Sequence, residues 1–147
     1  MDKDTIVIID YGRGNLHSVY NGLLKIGASP VVSGDPKVIE AAPKVILPGV
    51  GSFGDCMDTM RSRGLEEAVQ QALHSGKPFL GICLGEQLLF EGSEEAPGVK
   101  GLGYFKGQVK KIVTEYKIPH MGWNWITTVN PSPLLQNADG STHWIMD

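Results

Sequence analysis

An α/β domain, with a mostly parallel sheet flanked by helices, is the fold class this sequence predicts, on three observations. Short β-branched runs alternate with amphipathic helical stretches, as in chains built from strand–helix–strand units. The runs end in glycine-rich loops rather than two-residue hairpin turns, so successive strands have to be joined by crossovers. Finally, 19 of the 147 residues are glycine, nearly twice the usual ~7%, and many of them stand where a predicted strand ends.

The elements follow in order. Thr5–Ile9 is a continuous β-branched run suited to a strand buried on both faces. It stops at Asp10-Tyr11-Gly12-Arg13-Gly14-Asn15, where Asn15 can cap a helix. Leu16, Val19, Tyr20, Leu23, Leu24 and Ile26 recur at helical spacing, with Gly27 as the stop. Pro30–Ser33 reads as a second strand, and Asp35-Pro36 as the cap and first-turn proline of a short helix. Lys44–Leu47 is a third strand, closed by Pro48-Gly49-Val50-Gly51-Ser52-Phe53-Gly54. Helical stretches over 55–63 and 65–75 are separated by Gly64. Phe79–Ile82 is a fourth strand entering a helix near Gly85. Beyond Phe90, residues 91–103 read as a polar loop, and 108–114 and 123–129 as strands, antiparallel at one edge.

Thirteen Lys+Arg against sixteen Asp+Glu leave a formal charge of −3. That charge gives no footprint for nucleic acid or an anionic membrane. No apolar run reaches the ~18 residues of a membrane span, and the polar start is no signal peptide. The length fits one domain. Two cysteines, Cys56 and Cys83, make no disulfide framework, which points to a reducing cytoplasm. They stand 27 residues apart, and no His-Glu-x-x-His or Cys-x-x-Cys pair exists, so neither a metal nor a cofactor is expected.

Gly81-Ile82-Cys83-Leu84-Gly85 sits between strand and helix with the spacing of a nucleophile elbow, cysteine replacing serine. Side chains at the flanking glycines would collide with the neighbouring strand or helix. Free N–H groups at the helix start favour a thiolate, and the Leu84 N–H can serve an oxyanion. The competing reading is a small buried hydrophobe, the common fate of a free cysteine. Gly49-Val50-Gly51, closing the third strand, can bring further N–H donors to the same place. Its G-x-G-x-x-G match is no dinucleotide fingerprint, because it follows the third strand and the positions ~20 residues on are Gln70 and Gln71. A thiol nucleophile needs a base. His17 and His74 lie on helices, His120 in a loop and His143 in an irregular tail, none with an acid two residues away. Glu94-Glu95 and Lys110-Lys111 read as solvated faces.

The elbow followed by Gln87 and Leu88-Leu89-Phe90 resembles the class I (triad) glutamine amidotransferases. Residues 94–102 and Pro119-His120-Met121-Gly122-Trp123-Asn124 narrow the resemblance, over residues 5–135, to the glutaminase subunits of imidazole glycerol phosphate synthases of histidine biosynthesis. The resemblance implies a flavodoxin-like three-layer fold and glutamine hydrolysis through a thioester on Cys83. Ammonia then passes to a (β/α)₈-barrel cyclase partner in a heterodimer. It implies oxyanion donors at Gly49, Val50, Gly51 and Leu84, and glutamine binding by Gln87 and Gly51. Met121, Trp123 and Asn124 would face the cyclase.

Two departures stand out. Glu86 occupies a position that is methionine in the family, and no His-Pro-Glu stretch carrying the family's catalytic histidine and glutamate occurs in these 147 residues. Residues 1–147 are therefore expected to be the N-terminal portion of a single amidotransferase domain, truncated before its last strands and impaired in turnover. The alternatives are a non-catalytic cyclase-binding protein and another class I branch.

Overall fold

The computed structural model describes residues 1–123 and 129–135. The chain divides into two compact units, Met1–Lys111 and Ile112–Asp147.

The first unit is built on four parallel strands: β1 (Thr5–Ile9), β2 (Ser29–Ser33), β3 (Val45–Gly49) and β4 (Phe79–Cys83), in the order β2-β1-β3-β4. Between them run α1 (Leu16–Lys25), α2 (Pro36–Ala41), α3 (Phe53–Ser62) and α4 (Glu66–His74). After β2 the chain reverses direction across the sheet. Right-handed crossovers then put α1 on one face and α2, α3 and α4 on the other. The parallel three-layer expectation is met, and so are the helix starts predicted at Asn15 and Asp35, while α3 begins two residues before the predicted 55, capped by Ser52. Asn15 accepts from the Ser18 N–H, Asp35 from the Lys37 N–H and Ser52 from the Asp55 N–H, each satisfying a donor the first turn leaves open.

The core lies between one sheet face (Val7, Ile9, Val45, Leu47) and α3–α4, which contribute Phe53, Met57, Met60, Val69 and Leu73. Burial on both faces holds for β1 and β3 but not for the outer strands. Val32 and Leu80 are each 39% exposed, and α1 buries no residue. Alternation along a strand reports which residues share a face, not how fully a neighbouring layer covers that face.

Past the elbow the structure departs from the sequence reading. The helix there, α5 (Leu84–Gln87), is a single turn. Residues 91–103 are not all loop, because β5 (Phe90–Ser93) occupies their start. The next strand, β6 (Phe105–Val109), comes earlier than the predicted 108–114 and pairs parallel to β5. Both strands hold an internal glycine, and their register shifts between Phe90 and Gly92, which erases the alternation that would have announced them. The predicted strand at 123–129 falls largely on residues outside the described ones.

The described part of the second unit has a cis Ile118–Pro119 bond and a 3₁₀ turn at Pro133–Leu135. Its apolar residues are open, with Met121 79% and Trp123 81% exposed. Among the described residues no helix is long and apolar enough to cross a membrane.

Candidate active site at the end of the sheet

Cys83 ends β4 with φ 55° and ψ −122°, the one non-glycine residue with positive φ among those described. That conformation costs an L-residue of order 1–3 kcal/mol and persists only where the surroundings enforce it. Here the enforcement is visible. A Cβ on Gly81 would stand 2.6 Å from the Glu86 Cα, and one on Gly85 would run into the Leu47 carbonyl of β3. The glycines flanking the cysteine thus let the chain turn sharply from strand into α5. The result is an exposed Cys83 thiol, while Cys56 is buried. The buried-hydrophobe reading therefore applies to Cys56 and fails for Cys83.

Gly49 is the register partner of Cys83 across the β3–β4 ladder. A Cβ on it would lie 2.5 Å from the Gly85 nitrogen, so the Pro48–Gly51 backbone presses directly on the elbow. Val50 and Gly51 beyond it are open to solvent. Leu84, the first residue of α5, contributes an N–H that no earlier turn uses. With only one turn of helix behind it, a negative charge at this place would meet individual N–H groups and not a long aligned dipole.

Gln87 lines a cavity of about 590 Å³ with Ser93, Glu94, Glu95, Val109, Lys110 and Lys111. Glu94 and Glu95 are exposed, as the solvated-face reading expects, and each carboxylate also accepts a backbone hydrogen bond. Glu95 accepts a hydrogen bond of 3.1 Å from the Phe53 N–H at the start of α3, and Glu94 accepts one from the Lys111 N–H. Sequence reasoning missed Glu95 because its partner is 42 positions away and no local pattern marks it.

Tyr11, read from sequence only as part of a glycine-rich loop, is fully buried and donates a 2.9 Å hydrogen bond to the Pro48 carbonyl. Burial, and secondarily contact with Cys56, pushes its phenol far above the ordinary range, so it remains a neutral donor.

The two histidines of the first unit lie on different helices. His17, on α1, bonds Asn21 at 2.8 Å, and His74 bonds the Gln70 carbonyl and meets Tyr104 edge-on. His74 closes the helix that leads into β4, at the opposite end of that strand from Cys83. His120 belongs to the second unit, and His143 lies outside the described residues. No group of His, Cys, Asp and Glu suited to a metal occurs among the described residues.

Residues 7–144 match the family described as glutamine amidotransferase class-I. The chain is 49% identical to the imidazole glycerol phosphate synthase subunit HisH of Methanothermobacter thermautotrophicus, over 91% of this chain and 67% of that protein. It is 51% identical to the subunit of that name in Synechococcus elongatus, over 95% of this chain and 64% of that protein. It therefore spans about two thirds of the length of these relatives. A crystal structure of a glutamine amidotransferase superposes with a TM-score of 0.66 at 18% identity, covering 81% of this chain and 62% of that one. The likeness of that structure bears on the fold alone.

Proposed function

The chain belongs to the class-I glutamine amidotransferase family, and on that premise we propose that it is the glutaminase subunit of an imidazole glycerol phosphate synthase. The observation that carries this reading is the exposed Cys83 thiol, held at positive φ beside Gly49. Cys83 Sγ attacks the side-chain amide carbon of glutamine. The carbonyl oxygen becomes an oxyanion, received by the Leu84 N–H and by the Gly49, Val50 and Gly51 backbone. The C–N bond then breaks, ammonia leaves with the added proton, and a γ-glutamyl thioester remains. Water hydrolyses it to glutamate and restores the thiol. Gln87, with Gly51, holds the amino-acid end, and Gln87 also lines a cavity that includes Glu94, Glu95, Lys110 and Lys111.

Ammonia is consumed by a (β/α)₈-barrel cyclase bound as a heterodimer, in the cytoplasm, where two free thiols persist. Residues 1–147 form part of one amidotransferase domain and supply its nucleophile and oxyanion donors. Within the first unit His17 bonds Asn21 and His74 bonds the Gln70 carbonyl, neither bonding Cys83, so acylation is expected to outrun turnover. The test offers the protein a γ-ester of glutamate and follows its mass. One glutamyl group on Cys83 supports the reading, and an unmodified Cys83 refutes it. Rapid, sustained ammonia release from glutamine would overturn the expectation of slow turnover.

Met121 and Trp123 are proposed as partner-facing. They are exposed apolar side chains in the segment by which the sequence resembles the synthase subunits, and Asn124 lies outside the described residues. Truncating a buried aromatic anchor of an interface costs about 2 kcal/mol. Trp123→Ala should therefore weaken binding to a cyclase roughly 30-fold in calorimetry, with Cys83 acylation of the free subunit unchanged. Equal affinity would remove Trp123 from the interface.

A further inference from the structure

Two buried side chains that the proposed chemistry does not use both reach the loop beside Cys83. The Tyr11 hydroxyl donates to the Pro48 carbonyl at 2.9 Å, and the Cys56 thiol donates to the Val50 carbonyl at 3.4 Å. Both residues are completely shielded from solvent, and their side chains are in mutual contact. They come from different elements, Tyr11 from the loop after β1 and Cys56 from the first turns of α3. Gly49 lies between the two tethered carbonyls, and a Cβ on it would meet the Tyr11 hydroxyl at 3.0 Å.

We infer that Tyr11 and Cys56 are positioning residues that clamp the Pro48–Gly51 backbone so that its N–H groups are held ready for the oxyanion formed at Cys83. In a trans peptide the carbonyl and the following N–H point in opposite directions. Drawing the Pro48 and Val50 carbonyls toward the core therefore turns the Gly49 and Gly51 N–H groups away from it. A pre-set donor needs no reorganisation when charge develops, which is where such donors gain their effect. Neither residue touches substrate. Both act through the loop.

This inference rests on the reading of Cys83 as an acyl-accepting nucleophile, and the test keeps the two apart. The protein and its Tyr11→Phe, Cys56→Ala and Cys56→Ser variants are each treated with a p-nitrophenyl γ-ester of glutamate. Cys83 Sγ bonds the γ-carbon, the ester C–O bond breaks, and nitrophenolate leaves with the electron pair. The burst rate is compared with the rate of Cys83 alkylation by iodoacetamide, which passes through no oxyanion.

Tyr11→Phe and Cys56→Ala are expected to slow the burst at least about tenfold, the scale of a weakened oxyanion donor. Alkylation should hold within about twofold, and Cys56→Ser, which retains a donor, should recover most of the burst. A burst that stays fast in both Tyr11→Phe and Cys56→Ala overturns the clamp and leaves the function standing. A burst and an alkylation rate that fall together also overturn it, since the change is then in the thiol or the fold. Unmodified Cys83 in the parent protein refutes the functional reading, and the clamp with it.

Discussion

Replacing Cys83 with glycine is expected to end thioester formation while stabilising the fold by roughly 1 kcal/mol. The two effects come from one geometric fact. The thiol is presented by a backbone at φ 55°, a conformation glycine adopts freely and cysteine only under constraint. Relief of that strain exceeds the extra chain entropy glycine brings to the unfolded state, although the two partly offset. Acylation by a γ-ester should fall by about 10⁴-fold or more, the usual scale for removing a nucleophile. Cys83→Ala should lose the chemistry equally and gain no such stability, because alanine retains the Cβ that makes positive φ costly. Denaturant midpoints of the three proteins decide the matter. If glycine is no more stable than alanine at this position, the elbow is not strained.

Gly85→Ala carries the largest expected loss of stability. The added methyl would run into the Leu47 carbonyl and lie 2.9 Å from the Pro48 carbonyl carbon. These are backbone atoms of a buried central strand, with no rotamer through which to yield. Overpacking of this kind costs about 3 kcal/mol, which could be half of a small domain's stability. Gly76→Ala is a suitable control, since nothing lies within 4 Å of its added Cβ. It too has positive φ, at 78°, and should lose only the backbone share, about 1 kcal/mol. Equal losses at the two sites in urea unfolding would mean that close packing of the elbow on β3 is not what requires glycine at position 85.

Much of the first unit was legible because its signals are local. Thr5–Ile9 is found as read, and Asn15 and Asp35 cap the helices they precede. Each depends on a few consecutive residues and on hydrogen bonds that close within one turn. The Gly-x-Cys-x-Gly spacing was legible for the same reason, since a strand-to-helix turn is a five-residue object. Reading failed where the determining contacts are remote. The parallel pairing of β5 with β6 leaves no turn signature, and Gly92 and Gly107 blur the alternation of both strands. Glu94 and Glu95 are exposed as a solvated face should be, but the backbone N–H groups their carboxylates bond lie 17 and 42 positions away and left no local mark.

The sequence by itself determined the layered α/β architecture and the glycine-flanked turn at Cys83, because periodicity, caps and glycine spacing act over a few residues, and its motifs carried the resemblance to the family. Only the tertiary structure decided that Cys83 is exposed while Cys56 is buried, and that Gly49 abuts the elbow. It alone joined Tyr11, Cys56 and Glu95 to the surroundings of one loop. The physical reason is that the loop beside Cys83 and the helix start after it are held by hydrogen bonds between residues 37 or 42 positions apart. Such partners become neighbours only after the sheet has brought the ends of its strands together.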